Sequence, residues 1–146
     1  MVSARVRRIG KIRTLKQSAL DDRSKELAAA REGLATAERG LAECVTIRHS
    51  ALKAIDEART KALAPDDWRE LDAWLETTKL RELAQRQRVA AHENAVELAR
   101  QAVVAAQSEV KRLDELVSRI REQELAVETT KERKLEDELA GRKRVS

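Results

Sequence analysis

Leu20, Leu27, Leu34 and Leu41 recur every seven residues before the only proline, Pro65, and Val89, Val96, Val103, Val110 and Val117 do so after it. An apolar repeat of seven keeps its stripe on one side of a helix only when helices wrap around each other, so it specifies a supercoiled seam rather than a globular core. One break between two such seams predicts an all-α chain, two long helices forming an antiparallel coiled-coil hairpin. The expected bounds are helix 1 over about 3–63, a turn over about 64–66 and helix 2 over about 67–140, in one hairpin covering 1–146. The alternative is one continuous helix of ~200 Å kinked at Pro65 and paired with another chain. The comparable lengths of the two seams favour the hairpin, because each can cover the other.

The side chains suit a narrow seam. There are two tryptophans and no Phe or Tyr, where a globular core would draw on several aromatics for buried area. In helix 1 one seam row carries Val6, Leu20, Leu27, Leu34, Leu41, Ile55 and Ala62, and the facing row carries Ile9, Ala30, Ala37, Cys44, Ala51 and Ala58. Large residues on one row beside small ones on the other allow close approach. In helix 2 the rows are Trp68, Leu75 and the five valines, with Leu71, Ala99, Ala106, Leu113, Ile120 and Val127 opposite. The frame also places Arg48, Thr78, Glu82, Gln85 and His92 on the seam, all in the half nearer the turn. A turn centred on Pro65 sets Arg48 near Glu82, and an unpaired charge at a seam is costly, so these two are expected to pair.

At the break, Pro65 disfavours helix at Ala64 and cannot donate a helical hydrogen bond. Asp66 is the expected N-cap, with Asp67 and Glu70 placed where the helix dipole favours negative charge. Trp68 is read as closing the end of the seam. Trp74 falls beside the seam, partly exposed, and an exposed Trp on a chain otherwise without aromatics is an interface anchor.

Charge is uneven although the net value is only +4. Arg5, Arg7, Arg8, Lys11, Arg13 and Lys16 precede the first acid, Asp21, and Arg142, Lys143 and Arg144 repeat the bias at the other end. In an antiparallel hairpin both basic ends lie toward one end of the molecule. The single cysteine, Cys44, forms no internal disulfide and suits a cytoplasmic protein. No stretch approaches the ~20 apolar residues of a membrane span. The four glycines are isolated, so no phosphate-cradling loop is present, and neither His49 nor His92 belongs to a spaced metal motif. No catalytic constellation, metal site or cofactor is expected, and the chain is not read as an enzyme. Basic residues ahead of leucine heptads bring a DNA-binding zipper to mind, but residues 5–16 lack its Asn and Ala-Ala signature, and the second seam would have no use. Nucleic acid is therefore disfavoured as a partner.

A basic helix bearing Leu and Ile, a Pro/Asp break, Trp68-x-x-Leu71-x-x-Trp74-Leu75, and the charged run from Lys131 to Leu139 together resemble the FliJ/YscO family. The family comprises small stalk proteins of type III secretion and flagellar export machinery. The resemblance implies a helical hairpin whose terminal end enters a hexameric export ATPase and whose other surface meets the cytoplasmic ring of the export gate. Substrate chaperones are a further implied partner. It also implies a cytoplasmic position, peripheral to a membrane-embedded secretion apparatus. Carried onto this chain, Arg7, Arg8, Lys11 and Arg13 belong to the ATPase-facing end, and Trp74, Thr78 and Gln85 to the gate-contacting region. Thr78 departs from the large apolar residue common there. The competing readings are a structural or chaperone-binding coiled-coil adaptor without a ring partner, and a nucleic-acid-binding arm.

Overall fold

The computed structural model describes residues 2–145, with side-chain surroundings through Lys143. Two helices, α1 (Ala4–Ala58) and α2 (Pro65–Val145), form an all-α helical hairpin. The chain clusters into two compact units: residues 1–22 with 104–146, and residues 23–103.

The inner surfaces follow the heptad frame. Val6, Leu27, Ala37, Ala51, Ile55 and Ala58 are buried from α1, and Val89, Val103, Val110 and Ile120 from α2. Leu20, Leu34, Leu41, Val96 and Val117 are half-buried on the same rows. A two-helix seam leaves one flank of each residue near water, so this intermediate exposure is what the geometry dictates. Two row members fall away. Ala62 is exposed because α1 has already ended, and Val127 is 53 % exposed because α1 provides no full turn of helix beside it.

α1 begins on a cap. The Ser3 hydroxyl accepts from the Val6 amide (3.2 Å) and the Ser3 carbonyl accepts from the Arg7 amide (3.0 Å). Its other end comes five residues before the expected 63. The Thr60 and Lys61 amides donate to the carbonyls of Glu57 and Ala58, tightening the last turn, and the Thr60 hydroxyl holds the Glu57 carbonyl at 2.8 Å. α2 starts at Pro65, in the first helical position where its missing donor costs nothing. Ala64 therefore stands at the N-cap, and its carbonyl accepts from Asp67 and Trp68. Asp66, expected as the cap, lies one residue inside the helix, where with Asp67 it still complements the dipole.

Several pairs depart from a register centred on Pro65. In the first unit Lys16 pairs with Glu109 at 3.0 Å, where a turn centred on Pro65 would set it opposite Glu115. In the second, Gly33 abuts His92 and Gly40 abuts Gln85, while Arg48 meets Glu82 as expected. Within each unit partner numbers fall along α2 as they rise along α1, so the pairing is antiparallel.

Candidate functional site: a basic helix start and a tryptophan groove

The first unit carries the basic start of α1. Arg5, Arg7, Arg8 and Lys11 are exposed, and the first turn contains no acid. Positive charge at a helix N-terminus opposes the dipole, so this cluster works against helix stability. Arg7 and Arg8 bend back toward the carbonyls of Val2 (3.3 Å) and Ala4 (3.4 Å). Arg13, expected in the same cluster, is engaged elsewhere. Its Nε and Nη2 donate to the two carboxylate oxygens of Asp114 at 2.5 and 3.4 Å, a two-pronged pair between the helices. That hydrogen bond and the guanidinium charge hold the Asp114 carboxyl below its usual range. Of the four residues assigned to a basic contact, Arg7, Arg8 and Lys11 are exposed without an ion pair to α2, and Arg5 joins them.

Val2, Ser3 and Arg5 border a groove whose far wall includes Ile120, Glu124, Val127 and Lys131 of α2. Every residue of α2 from 125 to 143 is exposed, and the groove ends at Lys131. The start of α1 therefore lies well short of Arg142 and Lys143. The two basic ends share a unit without forming one patch, because α2 runs on past the start of α1.

The second unit carries a groove beside the turn. Ala54, Ala58, Leu63, Leu71 and Trp74 supply its apolar surface, with Glu57, Lys61, Asp67 and Glu70 around it. Trp74 is 41 % exposed, and Trp68 is half-buried near the turn. Three acids against one base make the rim acidic.

Thr78 and Gln85, assigned with Trp74 to one contact, face α1 instead. Thr78 is 2 % exposed and donates its hydroxyl to the Leu75 carbonyl at 2.8 Å. Gln85 donates its amide to the Ala37 carbonyl at 3.0 Å across the seam. Both occupy an inner heptad row, so only Trp74 of the three is open to a partner.

The same unit holds a charged cluster on the seam. Glu82, 6 % exposed, accepts from Arg86 at 2.8 Å and from Arg48 of α1. The Arg86 hydrogen bond, then that of Arg48, pulls its carboxyl below the usual range against the opposing effect of burial. Among the described residues no buried side-chain nitrogen or oxygen lacks a partner, so the polar seam is fully satisfied. Among those residues no group of three or more His, Cys, Asp or Glu side chains comes together as a metal site, and no helix is long and apolar enough to cross a membrane.

The family model for the flagellar FliJ protein matches residues 5–144. The chain belongs to the FliJ family. Neither curated proteins nor solved structures give a match. Membership makes this FliJ-family chain a component of a flagellar or type III export apparatus, in a family of structural stalk proteins rather than enzymes.

Some features of this FliJ-family chain lay outside the sequence reading. Arg86 completes the Glu82 cluster from the same helix, and the Glu-x-x-x-Arg spacing was its signal. Gly33 and Gly40, seven apart on α1, receive His92 and Gln85, seven apart on α2. Each glycine stands where a larger side chain from the other helix must fit.

Proposed function

We propose that this chain is the stalk that couples a hexameric export ATPase to the export gate, with the start of α1 as the ATPase-facing end. The observation that carries the reading is the exposed cluster Arg5, Arg7, Arg8 and Lys11 at the positive end of α1, within a FliJ-family chain. These charges oppose the helix that bears them, which is expected of residues that serve a partner. A single asymmetric hairpin inside a six-fold ring meets its subunits unequally, and so can couple to sequential nucleotide states. The Trp74 groove is the gate-facing contact in this reading, offering an aromatic anchor within an acidic rim to an apolar, basic segment. The protein then works in the cytoplasm, peripheral to the membrane-embedded apparatus.

The test is ATP hydrolysis by the export ATPase of the same system, with and without this chain. Reversing Arg5, Arg7, Arg8 and Lys11 to Glu removes the stimulation in this account, while thermal unfolding holds or improves because the dipole is now complemented. Trp74→Ala leaves stimulation intact and weakens binding to the gate ring. Full stimulation by the charge-reversed chain would overturn the basic-end assignment.

A further inference from the structure

The start of α1 sorts its cations by direction. Those on the seam rows are neutralised by α2: Arg13 by Asp114 at 2.5 Å and Lys16 by Glu109 at 3.0 Å. Arg5, Arg7, Arg8 and Lys11 are exposed, and among the described residues none of them makes an ion pair. No acid precedes Asp21, so this outward charge has no counter-charge within its own stretch of helix. Two large apolar side chains stand among these cations. Leu15 is 71 % exposed and Ile12 46 %. Helical spacing puts Arg8, Lys11 and Leu15 on the side of α1 turned away from the seam, with Arg5 and Ile12 at its edge. The patch runs about 15 Å from Arg5 to Leu15. The same side turns acidic at Asp22, one heptad past Leu15.

We propose that this face docks on a bilayer rich in anionic lipid. The four cations require a partner of negative charge, and Leu15 and Ile12 decide which kind. A basic amphipathic helix lying in the plane of a membrane interface sets its cations at the level of the lipid phosphates and its apolar side chains at the acyl boundary. A nucleic-acid backbone would give the cations the same phosphates and leave Leu15 and Ile12 in water. The first unit also has no aromatic side chain to stack on a base, since Trp68 and Trp74 belong to the second. Each Lys or Arg close to an anionic leaflet is worth about fivefold in affinity, so four of them separate an anionic from a neutral bilayer by about 100-fold or more. Leu15 and Ile12 add the part of the binding that salt does not screen.

The export ATPase and the bilayer would take the same end of α1, so the bilayer holds the chain only while it is free of the ring. The bilayer contact does not depend on the export reading: it needs Ile12 and Leu15, which that reading leaves unused.

Co-sedimentation of the full chain with large vesicles tests it. Vesicles of equal parts phosphatidylglycerol and phosphatidylcholine are expected to bind the chain about 100-fold or more tightly than phosphatidylcholine alone. Arg8→Glu with Lys11→Glu brings the two vesicle types to within about tenfold of each other. Leu15→Gln keeps every charge and lowers binding to the anionic vesicles about tenfold, with the loss growing as salt is raised. Leu135→Gln, on the exposed stretch of α2, leaves binding unchanged, and circular dichroism checks that each variant stays helical. Equal binding of the wild-type chain to both vesicle types would overturn the proposal. So would a Leu15→Gln chain that binds like wild type, or retention on duplex DNA that Leu15→Gln leaves unchanged while vesicles bind no more tightly than DNA. ATPase stimulation is read on the same preparations: full stimulation without vesicle binding sinks the bilayer contact alone, and vesicle binding without stimulation sinks the export reading alone.

Discussion

Gly40→Ala sets a local helix preference against a contact made by the other helix, and the structure gives the size of both. Alanine is favoured over glycine in a helix interior by about 0.8–1.0 kcal/mol. At Gly10, where an added Cβ meets nothing within 4 Å, that gain is realised in full. At Gly40 the Cβ falls 2.6 Å from Gln85 Nε2 and 3.2 Å from its Cδ, so the amide must move. It then gives up its hydrogen bond to the Ala37 carbonyl, a loss of about 0.5–1.5 kcal/mol. The expected net change is near zero or slightly unfavourable. In a Gln85→Ala background the obstacle is gone, and Gly40→Ala becomes stabilising by about 1 kcal/mol, a coupling readable from a double-mutant cycle. Gly33→Ala lies between the two cases, because the His92 ring is at 3.1 and 3.2 Å and needs to yield only a little. Urea unfolding followed by far-UV circular dichroism measures all of these. Equal stabilisation by Gly40→Ala in both backgrounds would show that Gln85 does not occupy the notch, and the close fit of the helices there would fall.

Three further outcomes are expected. Ile120 is 2 % exposed, so Ile120→Ala costs about 2–5 kcal/mol, while Leu135→Ala, on the exposed stretch of α2, changes global stability by less than ~0.5 kcal/mol; urea midpoints compare them. Ala51 has no exposed surface, and Ala51→Leu destabilises by about 1–3 kcal/mol through overpacking, which a lowered melting temperature reports. The Glu82 carboxyl is lowered in the folded state from its ordinary 4.5, so its contribution is complete above that pH and is lost as pH falls through the lower folded value. Glu82→Gln weakens the protein at neutral pH and shows a shallower fall in stability below pH 4.5 than the wild type; acid limbs of identical slope would deny the Glu82 cluster its role.

The seam was legible because its signal is redundant: Leu20 to Leu41 and Val89 to Val117 repeat one spacing many times, and a single shifted residue would spoil it. The Arg48–Glu82 pair followed from the same frame, since two opposite charges on inner rows near the turn have few other partners. Helix ends were less legible because they depend on a few weak bonds. Nothing in residues 59–63 forbids helix, yet the bonds from Thr60 and Lys61 close α1 at Ala58. The site was only partly readable. The frame put Thr78 and Gln85 on the seam, the family resemblance put them in a partner contact, and packing follows the frame. The resemblance groups Arg13 with its basic neighbours, whereas its position on an inner row brings it to Asp114.

The most direct test of the stalk reading is site-specific photo-cross-linking in the secreting cell, with the photoreactive residue at position 8. The account predicts a covalent adduct between this chain and the export ATPase, lost when Arg5, Arg7 and Lys11 are reversed to Glu. An adduct to a different protein, or none in cells where secretion proceeds normally, would contradict it.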